Sequence, residues 1–349
     1  MERDDIRVRT ASGADTAAIE AILEASPDGG AVRFNRERHV ALPAGHRGVH
    51  DRVIDVVAEA AGAPGPVGAA RLCLGECRFG GAWTRYALLS SLAVHPRHRR
   101  RGVAAALASH RIALARELAG DDVLVLANVQ SGNQGSLAAA RRWATSSGGR
   151  MVAIPVPMRR RPPRGRPDLV LRPAGDGDLE QVAEALTARP YDFGLRFDAE
   201  RLGGWLAASP LPDPVNHYLV VTDRAGRLLA GLGLREEGRL QSLVVQHAPL
   251  AIRLANRLVR VIPPDGRLRN VVADKVWFAP GRLAEARHLW QSVRWEWRGR
   301  GSTLLTTHDP RGPVHAMVHA PRWFPATTAT VQVRTTRPVR EGAIIDPLL

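Results

Sequence analysis

Residues 91–107 read SLAVHPRHRRRGVAAAL, and the reading of the fold turns on them. A short apolar run closes at Val94, and Pro96 stands two residues on. Arg99-x-x-Gly102-x-Ala104 follows and leads into an alanine-rich helical pattern. This is a strand, a tight basic turn and a helix N-terminus in succession. The first N–H groups of a helix have no partner inside it, and the macrodipole adds about half a positive charge there. An anion docks readily on such an end. Gly102 permits close backbone approach, and Ala104 is nearly as small.

The segment resembles the pyrophosphate-binding motif of the GNAT N-acyltransferase superfamily, Arg/Gln-x-x-Gly-x-Gly/Ala after a strand ending Val-x-Pro. The resemblance implies acetyl-CoA, or another acyl-CoA, as cosubstrate, with no metal. It assigns cofactor binding to Leu92, Ala93, Val94, Arg99, Arg100, Arg101, Gly102, Val103 and Ala104, the backbone of Leu92 and Val94 meeting the pantetheine amides. Outward from the motif, residues 53–60, 67–79 and 83–94 read as strands and 102–118 as a helix. A buried strand at 123–127 is expected parallel to the motif strand across that helix. In the GNAT fold those two strands splay apart and the acyl-pantetheine slots between them. Asn133 and Ser136 then fit a second family position. The resemblance puts Asn133 near the cofactor, and helix capping accounts for it equally.

A weak internal repeat gives the domain count. Residues 6–23, IRVRTASGADTAAIEAIL, align with 169–186, LVLRPAGDGDLEQVAEAL, so that Arg9 falls on Arg172 and Asp15 on Asp178. Each copy reads as a strand, a turn, an Asp at a helix start and an amphipathic helix. The expected architecture is two tandem GNAT-like α/β domains, each a mixed, mostly antiparallel sheet flanked by helices. The N-terminal domain covers 1–157, an Arg/Pro-rich extended linker 158–168, and the C-terminal domain 169–349. The arrangement resembles that of tandem GNAT proteins such as mycothiol synthase, without a close match. In the second copy Val276 to Pro280 parallels Leu92 to Pro96, but 281–286, GRLAEA, has no phosphate turn, and Glu285 would repel an anion. The second half is expected to be structural. Trp290, Trp295 and Trp297, interleaved with Arg294 and Arg298, read as packing residues rather than a base-stacking platform.

Catalytic residues are harder to place. GNAT enzymes often carry a tyrosine seven residues after the Asn as general acid, and this chain has Ala140 there. The strand entering the motif holds no carboxylate. Glu76, desolvated near the sheet centre, is the candidate base, although an ion pair with Arg71 or Arg78 competes with that reading. Tyr86 and Ser90 are candidates for orienting a water. The segments 26–30 and 32–36 are expected to cover the acceptor site, or to be plain turns.

Composition bounds the remainder. The 349 residues suit two domains, and their 45% apolar content is ample for packed cores. The charged N-terminus is not a signal peptide, and no apolar run is long enough to span a bilayer, so a cytoplasmic protein without a membrane partner is expected. Cys73 and Cys77 lie about 13 Å apart along a strand, too far to pair. Net charge is +15, and only one of the 49 basic residues, Lys275, is lysine. The charge favours anionic ligands but forms no stripe with interleaved aromatics, so nucleic acid is not expected. The leading expectation is an N-acyltransferase acting on a small-molecule amine. The alternatives are a non-catalytic CoA-binding sensor or interaction protein, and a transferase of aminoacyl groups from tRNA.

Overall fold

The computed structural model describes residues 6–26, 33–40, 49–321 and 324–347. The first half runs β1 (Ile6–Thr10), α1 (Thr16–Glu24), β2 (Arg33–Arg38), β3 (Arg52–Ala60), β4 (Pro66–Phe79), β5 (Ala82–Val94), α2 (Val103–Ala119), β6 (Leu124–Gln130), α3 (Gln134–Ala140) and β7 (Ser146–Pro157). The second half opens with β8 (Leu169–Pro173), α4 (Asp176–Thr187), α5 (Ala199–Ala207), β9 (Asn216–Asp223) and β10 (Leu228–Arg235). An insertion then brings α6 (Glu237–Leu240), β11 (Gln241–His247), α7 (Leu250–Val259) and β12 (Arg267–Leu268). It closes with β13 (Asn270–Phe278), α8 (Leu283–Glu296), β14 (Thr303–His308), α9 (Pro313–Val318) and β15 (Thr327–Arg334).

The repeat has a visible physical cause. In the first copy Arg9 donates to both oxygens of Asp15 at 2.8 Å, and Asp15 also accepts from the Ser12 backbone at 2.7 Å. In the second, Arg172 forks onto Asp178, which accepts from the Gly175 backbone at 2.8 Å. The aspartate satisfies an N–H at the helix start, and the arginine ties it to the preceding strand.

Twelve strands form one continuous sheet, in the order β1-β3-β4-β5-β6-β15-β7-β14-β13-β10-β9-β8. Only β5–β6 and β13–β14 pair in parallel; the other pairs in this sheet are antiparallel. The two halves therefore meet by exchanging strands. β15, from the end of the chain, inserts between β6 and β7 of the first half. β7 in turn pairs with β14 of the second half, from Thr303↔Pro157 to His308↔Val152. The sequence boundary at 157–169 is thus not a break in hydrogen bonding.

The cores follow the sheet. One buries α2 against the first half, with Val56, Leu72, Ala87 and Leu107. Another buries α8 and α9 against the second, with Leu232, Trp290 and Leu304. A third is shared: Cys73, Cys77, Phe79 and Tyr86 from the first half pack with Leu179, Val182, Leu202 and Trp205 from the second, and with Val331 and Val333 of β15. Phe193 stacks on Phe79 at 5.9 Å between centroids. A Cβ at Gly148 on β7 would lie 2.6 Å from that Phe193 ring, so this position takes no larger residue without a shift.

Three sequence expectations need amendment. Residues 158–168 are irregular, but they are docked rather than free: the Arg159 N–H donates to the Arg294 carbonyl at 2.9 Å and its side chain to Gln291 at 2.8 Å. The segment expected to cover the acceptor site includes β2, which pairs with β11 of the second half in a small three-stranded sheet; residues 27–32 lie outside the described residues. Of the tryptophan stripe, Trp290 and Trp297 are buried, whereas Trp295 stacks under Arg298 at 3.6 Å. Among the described residues, no helix is long and apolar enough to cross a membrane.

Because β15 completes the first half, residues 1–157 expressed alone are expected to show no cooperative unfolding transition. In the full chain, Val333→Asp is expected to cost about 3 kcal/mol or more by urea denaturation, since it buries an unpaired carboxylate.

Candidate functional site

β5 carries the first-half site. Its antiparallel register with β4 slips between Ala69 and Arg71, and Ser91 takes a φ of 51°. One extra residue on β5 makes a bulge. The parallel pairing of β5 with β6 covers only Tyr86 to Leu88. Beyond Leu88, β5 runs on to Val94 without β6, which keeps β15 on its other edge. The two strands splay at the place the family resemblance predicts.

Ladder alternation sets which groups face the gap. The His95 N–H donates to the Val67 carbonyl at 2.9 Å, so Ala93 and His95 point toward β4. Leu92 and Val94 therefore direct their backbone groups into the splay. The Val94 carbonyl accepts from the Ser26 hydroxyl at 3.0 Å and from Arg99 Nε at 3.2 Å. Ser26 is a partner that the sequence reading missed.

The bulge is held from beneath. Arg111 on α2 is 1% exposed and has no carboxylate among its hydrogen-bond partners. Its Nη1 donates to the Arg71 carbonyl at 2.9 Å and the Ser90 carbonyl at 3.1 Å, and its Nε to Leu107. These are carbonyls flanking the register slip, and one guanidinium satisfies both. Burial pulls Arg111 below the ordinary arginine range. Nothing local marked it in the sequence, where it is one arginine in an amphipathic helix.

The turn after β5 is compact. Arg100 and Gly102 both take left-handed conformations, with φ of 63° and 90°. Gly102 is the N-cap of α2, whose first hydrogen bond runs from the Ala106 N–H to the Gly102 carbonyl at 3.0 Å. The N–H groups of Val103, Ala104 and Ala105 precede that bond and have no helical acceptor, so they leave an end at which an anion can dock. The residues at the turn fit a pyrophosphate: small, cationic and rich in outward N–H groups. Asn133 caps α3, its Oδ1 accepting from the Ser136 N–H at 3.0 Å.

The catalytic candidates lie apart. Glu76 is not desolvated: its side chain is 43% exposed and pairs with Arg196 at 3.7 Å. It sits five residues beyond Arg71 along β4, about 16 Å from the bulge. The expected ion pair exists, but with a residue of the other half. Tyr86 is fully buried at the first β5–β6 pair, its hydroxyl 2.6 Å from His50 Nδ1, and burial raises its pKa well above the usual phenol value. Ser90 adjoins the bulge, with Cys73 Sγ 3.9 Å from its Oγ. Ala140 is buried in the α2 core.

The second half repeats the geometry with other chemistry. The β10–β13 register slips between Gly231 and Gly233, and Lys275 takes a φ of 47°, at the position that Ser91 holds in the first half. Parallel pairing of β13 with β14 ends at Ala273↔Thr306. A cavity of about 80 Å³ opens there, lined by Asp274, Lys275, Arg189, His308 and Asp346 among others. The single lysine of the chain is in this cleft, 2.8 Å from Asp274 Oδ2 and 4.0 Å above the Trp205 ring. Burial lowers its pKa. Arg189 pairs with Asp346. At the N-terminus of α8, Glu285 is buried and pairs with Arg282 at 3.3 Å, so a carboxylate lies in the first turn of this helix.

Comparison with known proteins agrees with this geometry. Residues 32–144 match the model of the acetyltransferase (GNAT) family. No curated protein matches the chain. Among solved structures, a tandem GNAT protein from the clavulanic acid biosynthesis pathway superposes with a TM-score of 0.59 at 16% identity, covering 96% of this chain and 99% of that one. A GCN5-related N-acetyltransferase from Sphaerobacter thermophilus gives 0.59 at 15% identity, covering 100% and 99%. Saccharomyces cerevisiae N-myristoyltransferase with bound myristoyl-CoA gives 0.62 at 9% identity, covering 95% and 79%. At these identities the likeness is one of fold.

His308 gives the cleft of the second half a pH signature. It is buried against His315 at 3.2 Å, and burial first, then the neighbouring histidine, lowers its pKa from 6.5 to about 4, Asp309 opposing. The unfolded chain therefore binds a proton that the folded chain refuses between those values. Stability is complete above pH 6.5 and is expected to fall by up to about 3 kcal/mol as pH drops to 4. Urea unfolding of His308→Gln should show that acid limb flattened.

Proposed function

We propose that this chain, with its GNAT domain and tandem GNAT fold, is an N-acyltransferase whose N-terminal half binds acetyl-CoA or a longer acyl-CoA. The acyl group passes to the amine of a small-molecule acceptor, and the C-terminal half is structural in this reading. One observation carries it: β5 parts from β6 after Leu88, and the same strand then delivers the turn at Arg99 to Ala104 onto the N-terminus of α2.

Each residue has a role in this scheme. The N–H groups of Val103, Ala104 and Ala105, with Arg99, Arg100 and Arg101, hold the pyrophosphate. Leu92 pairs its backbone with the pantetheine amides in the manner of an added strand. Acyl-CoA supplies an activated thioester. The Val94 N–H faces the gap and polarises the thioester carbonyl, a role for which a preorganised donor in a dry cleft is suited. Its own carbonyl is engaged by Ser26 and Arg99, which holds this strand end in place. Ser90 adjoins the gap and orients the incoming amine or a water, with Tyr86 and His50 behind it. Glu76, exposed and ion-paired, is left out of the chemistry. Rate enhancement then rests on proximity and carbonyl polarisation more than on a strong base.

A second reading, a non-catalytic CoA-binding protein, draws support from the buried Ala140 and the distant Glu76. Two experiments separate the readings. Acetyl-CoA at about 100 times its Kd should raise stability by about 2.7 kcal/mol, visible as a higher Tm. Gly102→Val, which forces a β-branched residue to a φ of 90°, should abolish that rise. No shift with any acyl-CoA ends both readings. Free thiol release with an amine from a broad panel selects the enzyme, and a thermal shift without release selects the binding protein.

A further inference from the structure

The insertion between β10 and β13 carries a surface that the cleft chemistry does not use. Leu250, Leu254 and Leu258 of α7 are 68%, 49% and 88% exposed. Their spacing places them in one stripe along the helix. The opposite face is anchored: Asn256, about 200° round from Leu254, donates from Nδ2 to the Ile262 carbonyl at 2.8 Å and accepts from its N–H at 2.7 Å. The leucines therefore point away from the body of the protein.

Arginines flank the stripe on one side. Arg253 and Arg257 each precede an exposed leucine. With Arg160 of the linker, Arg260 and His247 they line a groove of about 880 Å³. Among the described residues, none of these four guanidiniums has a hydrogen-bond or ion-pair partner. Nearby Arg267 and Arg269 are paired, with Glu37 and Asp265. Exposed, unpaired cations beside an outward leucine stripe complement a surface that offers both anions and an apolar phase.

We propose that α7 and its arginine groove dock this protein on the surface of an anionic lipid bilayer. The leucines enter the acyl boundary while Arg160, Arg253, Arg257 and Arg260 meet headgroup phosphates. A second copy of the chain would bring like charges together. Nucleic acid would leave the leucines in water, and no Phe, Tyr or Trp lines the groove for base stacking. The absence of a membrane partner was expected because no segment spans a bilayer. A ten-residue interfacial helix escapes that criterion.

The test is co-sedimentation of the full chain with vesicles of phosphatidylglycerol and phosphatidylcholine, against phosphatidylcholine alone. Binding is expected only to the anionic vesicles and should weaken with salt. Arg253→Gln with Arg257→Gln should lower the affinity roughly thirtyfold, at about 1 kcal/mol per charge. Leu254→Glu with Leu258→Glu should abolish binding, while far-UV circular dichroism and Tm stay unchanged. No binding to either vesicle overturns the proposal. So does binding that survives the leucine changes, which would mean electrostatic adsorption alone. A dimer in solution that the leucine changes dissolve, without vesicle binding, reassigns the face to a second copy.

Discussion

β7 and β15 lie side by side at the centre of the twelve-stranded sheet, and both halves depend on that pairing. A strand buried within a sheet has N–H and C=O groups on two edges, and both must be met. β6 finds its second partner only in β15, and β14 only in β7. Neither half can satisfy its own ladder, so the chain closes as one unit although its sequence repeats. The shared core of Phe79, Phe193, Trp205 and Val333 follows from that closure.

Each half also has a parallel pair that opens after three or four residues, while β6 and β14 keep β15 and β7 on their opposite edges. A bulge stands at each opening, with Ser91 in one half and Lys275 in the other. The first opening leads to a helix end of small and cationic residues. The second leads to Glu285 and encloses Lys275, Asp274 and Asp346. One backbone solution thus supports a cleft that ends on free helix N–H groups and a charge-paired one.

Much of this could be read from the chain. The turn at Arg99 to Ala104 is contiguous, and helix-end chemistry is local, so sequence order alone displays it. Arg9 and Asp15, with Arg172 and Asp178, are six residues apart in each copy, close enough for the repeat to register. Glu76 was misjudged because its surroundings come from Arg196, far along the chain. Arg111 was invisible because its partners are carbonyls freed by a bulge. The strand pairing of β2 with β11 spans some two hundred residues, and no local pattern announces it.

The sequence by itself determined the elements around the motif, the tandem organisation and the basic turn at a helix N-terminus, because each rests on hydrogen bonds and side-chain periodicities within a few residues. Only the tertiary structure decided how the two halves exchange strands, which carboxylates are dry and, among the described residues, which arginines are left without partners. Those depend on segments brought together from opposite ends of the chain, where burial and ladder hydrogen bonding are set by neighbours the local sequence does not name.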